Sequence, residues 1–190
     1  MGEQVKRLVV GISGASGVIL GIRMLEVLQE MEIETHLVLS PAATATISEE
    51  TDWKVSEVTK LADVVYNHTD FGASIASGSF TTMGMIVIPC SIKTLSAVAN
   101  SYASDLLSRA ADVTLKEGRP LILVVRETPL HSGHLRLMIE ATQIGAVIFP
   151  PMPAFYARPT SIADLIDDTV GRILDRFGIE NDIYTRWKEN

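Results

Sequence analysis

Six short apolar runs, at residues 7–12, 34–39, 64–66, 85–89, 121–126 and 146–149, constrain this chain most. Most are continuous in Val, Ile and Leu and do not alternate with polar residues, the pattern of parallel strands covered on both faces. Parallel strands need crossover connections. Helix-like stretches stand where those belong, at 18–31, 42–50, 55–61, 94–101, 106–117 and 135–144, and a last one follows at 161–177. Strand and helix alternating in this way predict an α/β protein with a doubly wound parallel sheet. The 190 residues, 47% of them hydrophobic, supply one substantial core. The chain reads as a single domain, 1–190, with no linker and no internal repeat.

Composition excludes several classes of function. A net charge of −7 with 16 Lys and Arg argues against a nucleic-acid partner, which needs a basic face. No apolar run reaches the roughly 18 residues that span a membrane, so the high apolar content suggests surface buried between subunits. Lys6 and Arg7 precede a strand-length run with no small-residue cleavage site, which does not read as a secretory signal. The lone Cys90 rules out an intrachain disulfide and agrees with a cytoplasmic location.

Residues 11–17 read Gly-Ile-Ser-Gly-Ala-Ser-Gly between the first strand and the first helix. A glycine turn into a helix gathers bare N–H groups and a positive helix end, which suits phosphate. The spacing matches neither the dinucleotide fingerprint nor the P-loop. A mononucleotide such as FMN fits better, with Ser13 and Ser16 adding hydroxyls. Other strand ends carry polar groups too: Ser40 before Pro41, the segment Ser91, Ile92, Lys93 and Thr94, the pair Arg126 and Glu127, and Tyr156 in a loop with four prolines. In open α/β sheets ligands bind beyond the carboxyl ends of strands, and the loops 67–82 and 150–159 would wall that crevice.

Arg126 and Glu127 end an apolar strand, either as a structural ion pair or as a tuned acid–base group. Arg109 and Lys116 lie two turns apart on one helix, either as a solvated stripe or as ligand contacts. Asp167-Asp168-Thr169-Val170-Gly171 lacks the last carboxylate of a metal-holding DDxxD, so side-chain cations such as Arg172 would carry any bound phosphate. His131 and His134 lack further metal ligands nearby and read as capping or packing residues. Cys90 has no adjacent base and reads as inert.

Five motifs then occur in order: G-I-S-G-A-S-G, P-C-S-x-K-T-L-S, S-R-A-A-D-V-x-L-K-E, R-P-L-x-L-V-x-R-E-T-P and P-x-P-A-F-Y. Together they closely resemble the bacterial flavin prenyltransferases, described as the small subunit of aromatic acid decarboxylases in ubiquinone synthesis. The likeness runs from Arg7 to Trp187. It implies a flavodoxin-like (Rossmann-like) three-layer α/β/α fold, assembled as a homododecamer with FMN at a subunit boundary. It also implies metal-free transfer of a dimethylallyl group from dimethylallyl monophosphate to N5 and C6 of reduced FMN. The product, prenylated FMN, would go to a UbiD-type decarboxylase.

By the same resemblance, Gly14, Ala15 and Ser16 match the flavin turn, with Ser16 near N5. Ser40, Ser91, Ile92, Lys93, Thr94 and Arg126 match further FMN contacts. Tyr156, Arg172 and Lys116 match the prenyl-phosphate site, which the segment 161–190 would complete, and Glu127 matches the acid–base residue. Arg109, Glu50 and Trp187 also fall at family positions on the substrate side. Phe71 replaces a tryptophan that some members hold against the prenyl chain, so altered packing is expected there. Two competing readings are a flavin-dependent cysteine decarboxylase and a non-catalytic flavin carrier. Pro151-Met152-Pro153 lacks the asparagine that follows in the decarboxylase motif, and a carrier has no use for Lys116, Glu127, Tyr156 and Arg172.

Overall fold

The computed structural model describes residues 5–188, so the first four and last two positions of the 1–190 domain lie outside the described residues. Six parallel strands form one sheet: β1 (Arg7–Ile12), β2 (Glu34–Leu39), β3 (Val64–Tyr66), β4 (Met85–Cys90), β5 (Leu121–Val125) and β6 (Val147–Ile148). Their order is β3-β2-β1-β4-β5-β6, and the direction of winding reverses between β1 and β4. The helices are α1 (Val18–Gln29), α2 (Pro41–Glu50), α3 (Val55–Val58), α4 (Ile92–Ala99), α5 (Leu106–Lys116), α6 (Ser132–Gln143) and α7 (Ile162–Asp175).

Successive side chains of a strand point to opposite faces, and here both faces are covered. Leu8, Val10 and Ile12 pack with α1, α2 and α7, while Val9, Met85 and Val87 pack with α4, α5 and α6. This two-sided burial is why the runs are apolar without alternation.

Boundaries follow the caps. Ser40 accepts from the Ala43 N–H (3.1 Å) with Pro41 next, which starts α2. Ser91 caps α4, which therefore begins at Ile92, two residues before the expected start. His131 Nδ1 accepts from the Gly133 N–H (3.0 Å), so α6 begins at Ser132, earlier than its apolar periodicity suggests. The same contact confirms His131 as a cap, and its ring lies 3.6 Å from that of His134. The last two strands are shorter than their apolar runs: β5 stops at Val125, and β6 keeps only two ladder residues. Burial pushes the Cys90 thiol well up, as an inert thiol requires.

Candidate active site

The strand ends meet at the point where the sheet reverses, and a cavity of about 300 Å³ opens there. Its walls are Gly14 from the glycine turn, Ser40 to Ala42 at the start of α2, Ser91, Lys93 and Thr94 at the start of α4, and Ser104, Asp105, Leu107 and Ser108 around the start of α5. A neighbouring cavity of about 420 Å³ shares Lys93, Ala97 and Ser104 and continues to Tyr102. Gly14 is required by close approach, since a Cβ there would lie 2.2 Å from the Ala42 Cβ. Two helix N-termini capped by hydroxyls, a third capped by the Asp105 carboxylate, and the Lys93 side chain thus line one space, and the hydroxyl-capped ends suit the phosphate of FMN. Ser104 and Asp105 escaped the sequence reading, although Asp105 followed three residues later by Ser108 is a helix-start pattern.

The glycine turn itself differs from expectation. The Glu50 carboxylate, not an open phosphate site, covers the N-terminus of α1, where its Oε2 accepts from Gly17 N–H (2.7 Å) and Val18 N–H (3.3 Å). Burial pushes the Glu50 carboxyl up, but the Ser16 hydroxyl, these two N–H groups and the charge of Arg126 together hold it below its ordinary value. Ser13 is also spent within the protein. Its buried hydroxyl donates to the Pro89 carbonyl (2.9 Å) and accepts from the Ser91 N–H (2.8 Å), which staples the loop after β1 to the start of α4. Ala15 and Ser16 stay at the open side of the turn.

Arg126 and Glu127 leave β5 at the same edge, and Glu127 Oε1 accepts from the Thr128 N–H (3.0 Å). On the adjacent strand Phe149 follows β6, and the Arg172 guanidinium lies 5.6 Å from its ring centroid. Arg172 Nη1 is 3.9 Å from Asp168 Oδ2. Asp168 is buried with Oδ1 unpartnered, and burial pushes its carboxyl up against the pull of Arg172. Tyr156, in the turn Phe155–Ala157, meets Trp187 edge to face at 5.1 Å. Between this proline loop, α7 and the tail lies a third cavity, of about 250 Å³.

Three expected residues stand apart within one copy. Arg109 lies midway along α5, donating to the Ala76 carbonyl (3.3 Å) and to Asp112 (2.8 Å). Lys116 ends α5 just before β5 begins, at the opposite sheet edge, with its ammonium on Glu117. The helix that places the two on one face also carries Lys116 away from the cavity at its start. Phe71 is 51% exposed in the loop that meets α5, where the Leu106 N–H donates to the His68 carbonyl (2.8 Å).

Fold and site together define an α/β flavoprotein, and the flavoprotein family model matches residues 2–173. The flavin prenyltransferase UbiX of Escherichia coli (strain K12) is 60% identical over 186 residues, covering 96% of this chain and 98% of that protein. The solved structure of AnUbiX (PadA1) in complex with FMN and dimethylallyl pyrophosphate is similar with a TM-score of 0.96 at 53% identity, covering 97% of this chain and 98% of that one. A dodecameric FMN-dependent UbiX-like decarboxylase from Escherichia coli O157:H7 has a TM-score of 0.94 at 49% identity, covering 96% and 99%. The chain belongs to the flavin prenyltransferases, with the flavodoxin-like fold of that family. No described helix is long and apolar enough to cross a membrane.

Proposed function

We propose that this protein joins the dimethylallyl group of dimethylallyl monophosphate to N5 and C6 of reduced FMN. One observation supports the reading: a cavity with capped helix N-termini opens beyond the strand ends, and the segments after β6 add the Arg172 guanidinium over Phe149 and the Tyr156–Trp187 pair. Bound reduced FMN would supply an electron-rich ring to accept the group. Ser40, Ser91, Ile92, Lys93 and Thr94 would hold its phosphate end, and Gly14, Ala15, Ser16 and Arg126 its ring end.

An allylic phosphate ionises only if charge on the leaving group is stabilised. Arg172 and the Tyr156 hydroxyl would supply that stabilisation without a metal ion. Tyr156, Trp187 and Phe71 would offer the allyl group an apolar wall and keep water out. Glu127, oriented by the Thr128 N–H, would take the proton lost from C6, and Glu50 would keep charge balanced beside Arg126. Lys116 and Arg109 would serve the site of a neighbouring copy, since Lys116 lies at the far edge of its own sheet. A homododecamer would bring them there, and the exposed Ile139 of α6 together with Met152, Phe155 and Ile162 fits burial between copies. The whole chain would act as one domain in the cytoplasm and pass prenylated FMN to a UbiD-type decarboxylase.

The test is anaerobic incubation with reduced FMN, dimethylallyl monophosphate and a chelator, followed by mass spectrometry of the released flavin. A gain of one C5H8 unit is expected. An unchanged flavin mass with FMN demonstrably bound would overturn the reading and favour a carrier.

A further inference from the structure

The tail beyond α7 doubles back. Gly178 turns the chain with a left-handed backbone (φ +66°) beside Lys6, Met31 and Met83, at the sheet edge away from the site. Residues 181–187 then return along α7 to its start, where Asp182 to Thr185 share a cavity with Asp164, Asp168 and Ala154.

One carboxylate fastens this returning strap. Asp175 receives both Arg186 nitrogens, Nη1 on Oδ2 at 2.7 Å and Nη2 on Oδ1 at 2.6 Å, a bidentate pair. It also accepts the Tyr184 hydroxyl and the Asn181 amide (3.0 Å). Asn181 in turn donates to the Gly171 carbonyl (3.2 Å). The bare Cα of Gly171 lets Tyr184 lie against the helix, since a Cβ there would meet Tyr184 Cδ1 at 2.4 Å. Directly after this clamp comes Trp187, edge-on to Tyr156. Trp187 is 62% exposed, so burial does not hold it in place.

We propose that Asp175 is a positioning residue for the prenyl-phosphate side of the site: it fastens the strap 181–186 along α7 and so seats Trp187 on Tyr156, shaping the wall that takes the allyl chain. This rests on the function proposed above. Four donors converge on this carboxylate, which remains 27% exposed.

The test uses a Trp53→Phe background, in which Trp187 is the remaining one of the two tryptophans. Into it go Asp175→Asn, which removes the charge under Arg186, and Arg186→Lys, which keeps a charge but loses the fork. Trp187 emission and acrylamide quenching are read without substrates, then KM for dimethylallyl monophosphate, kcat and the Kd for FMN. We expect both variants to expose Trp187 and raise KM, Asp175→Asn by about tenfold and Arg186→Lys by less, with FMN affinity kept. Unchanged Trp187 quenching in both variants would overturn the fastening role, and exposed Trp187 with unchanged KM would overturn the link to the substrate. A loss of FMN affinity equal to the rise in KM would overturn it in favour of a purely structural clamp. A parent protein that binds FMN yet forms no prenylated flavin would overturn the underlying function instead, and the substrate-free Trp187 signal tells that failure from a failure of the clamp.

Discussion

On the proposed flavin side of the site each polar segment follows a strand, whereas on the proposed prenyl-phosphate side the groups sit on a proline loop, a late helix and a tail. The flavin side is held by local caps, Ser40 on Ala43 at 3.1 Å and Ser91 on Thr94 at 3.3 Å, and by the buried Ser13 staple. The other side is held by charged side-chain pairs, Arg23 on Asp167 across 144 residues at 2.7 Å and Arg186 on Asp175 across 11 at 2.6 Å. The sheet preforms the first half, while the second depends on a few charged clamps. A substitution on one side should therefore move one ligand and spare the other.

The sharpest break is expected at Glu127, the proposed acid–base residue, two positions beyond the end of β5. Glu127→Gln should slow formation of prenylated FMN by roughly 10²–10⁴-fold, the usual worth of a positioned acid–base group. Single-turnover mass spectrometry would measure this, with FMN affinity and KM unchanged. Normal product formation would remove Glu127 from proton transfer.

Gly14→Val should come next. The new side chain drives into Ala42, 2.2 Å from even a Cβ, and pushes on the start of α2. Overpacking should cost about 1–3 kcal/mol of stability, and the displaced start of α2 should raise the Kd for FMN. The Trp187 signal should not change, and if it did, the two halves would be mechanically joined. Arg172→Ala is the mirror experiment. A charge-assisted contact to phosphate, at about 1.5–3 kcal/mol, predicts a KM for dimethylallyl monophosphate about ten- to a hundredfold higher with FMN binding intact. Equal loss of both ligands would make Arg172 structural, through its place above Phe149.

The same contrast explains what the sequence disclosed. The runs 7–12 and 34–39 coincide with β1 and β2, whose apolar residues are buried on both faces, and 64–66 coincides with the half-exposed edge strand β3. The flavin-side groups were legible because capping residues sit next to the strands they follow. Ser13 misled, since its seven-residue glycine context resembles a ligand turn while its hydroxyl answers Pro89, 76 positions away. The resemblance puts Glu50 on the substrate side, but its seat on α1 depends on how α2 packs, which no local pattern states. The Asp175 clamp left no signal at all: Asn181, Tyr184 and Arg186 look like an ordinary polar tail until the chain reverses at Gly178.

The smallest effect tests whether the start of α1 belongs to the protein or to a ligand. Glu50 has its folded-state pKa depressed, because the Ser16 hydroxyl, the Gly17 and Val18 N–H groups and Arg126 outweigh burial. A depressed carboxyl contributes stability that is complete above its unfolded value and is lost as pH falls through its folded value. Glu50 is exposed, so the contribution should be that of a screened helix-end charge, about 0.3–1 kcal/mol. Urea denaturation of the wild type and Glu50→Gln should thus differ near neutral pH and converge below about pH 4, the ordinary glutamate range. A constant difference across that range would mean that hydrogen-bond geometry, not charge, closes the helix. If Glu50→Gln also let inorganic phosphate stabilise the protein more than it stabilises the wild type, the glycine turn would be a latent anion site that this carboxylate keeps shut, and the two helix ends at the sheet edge would differ only in what occupies them.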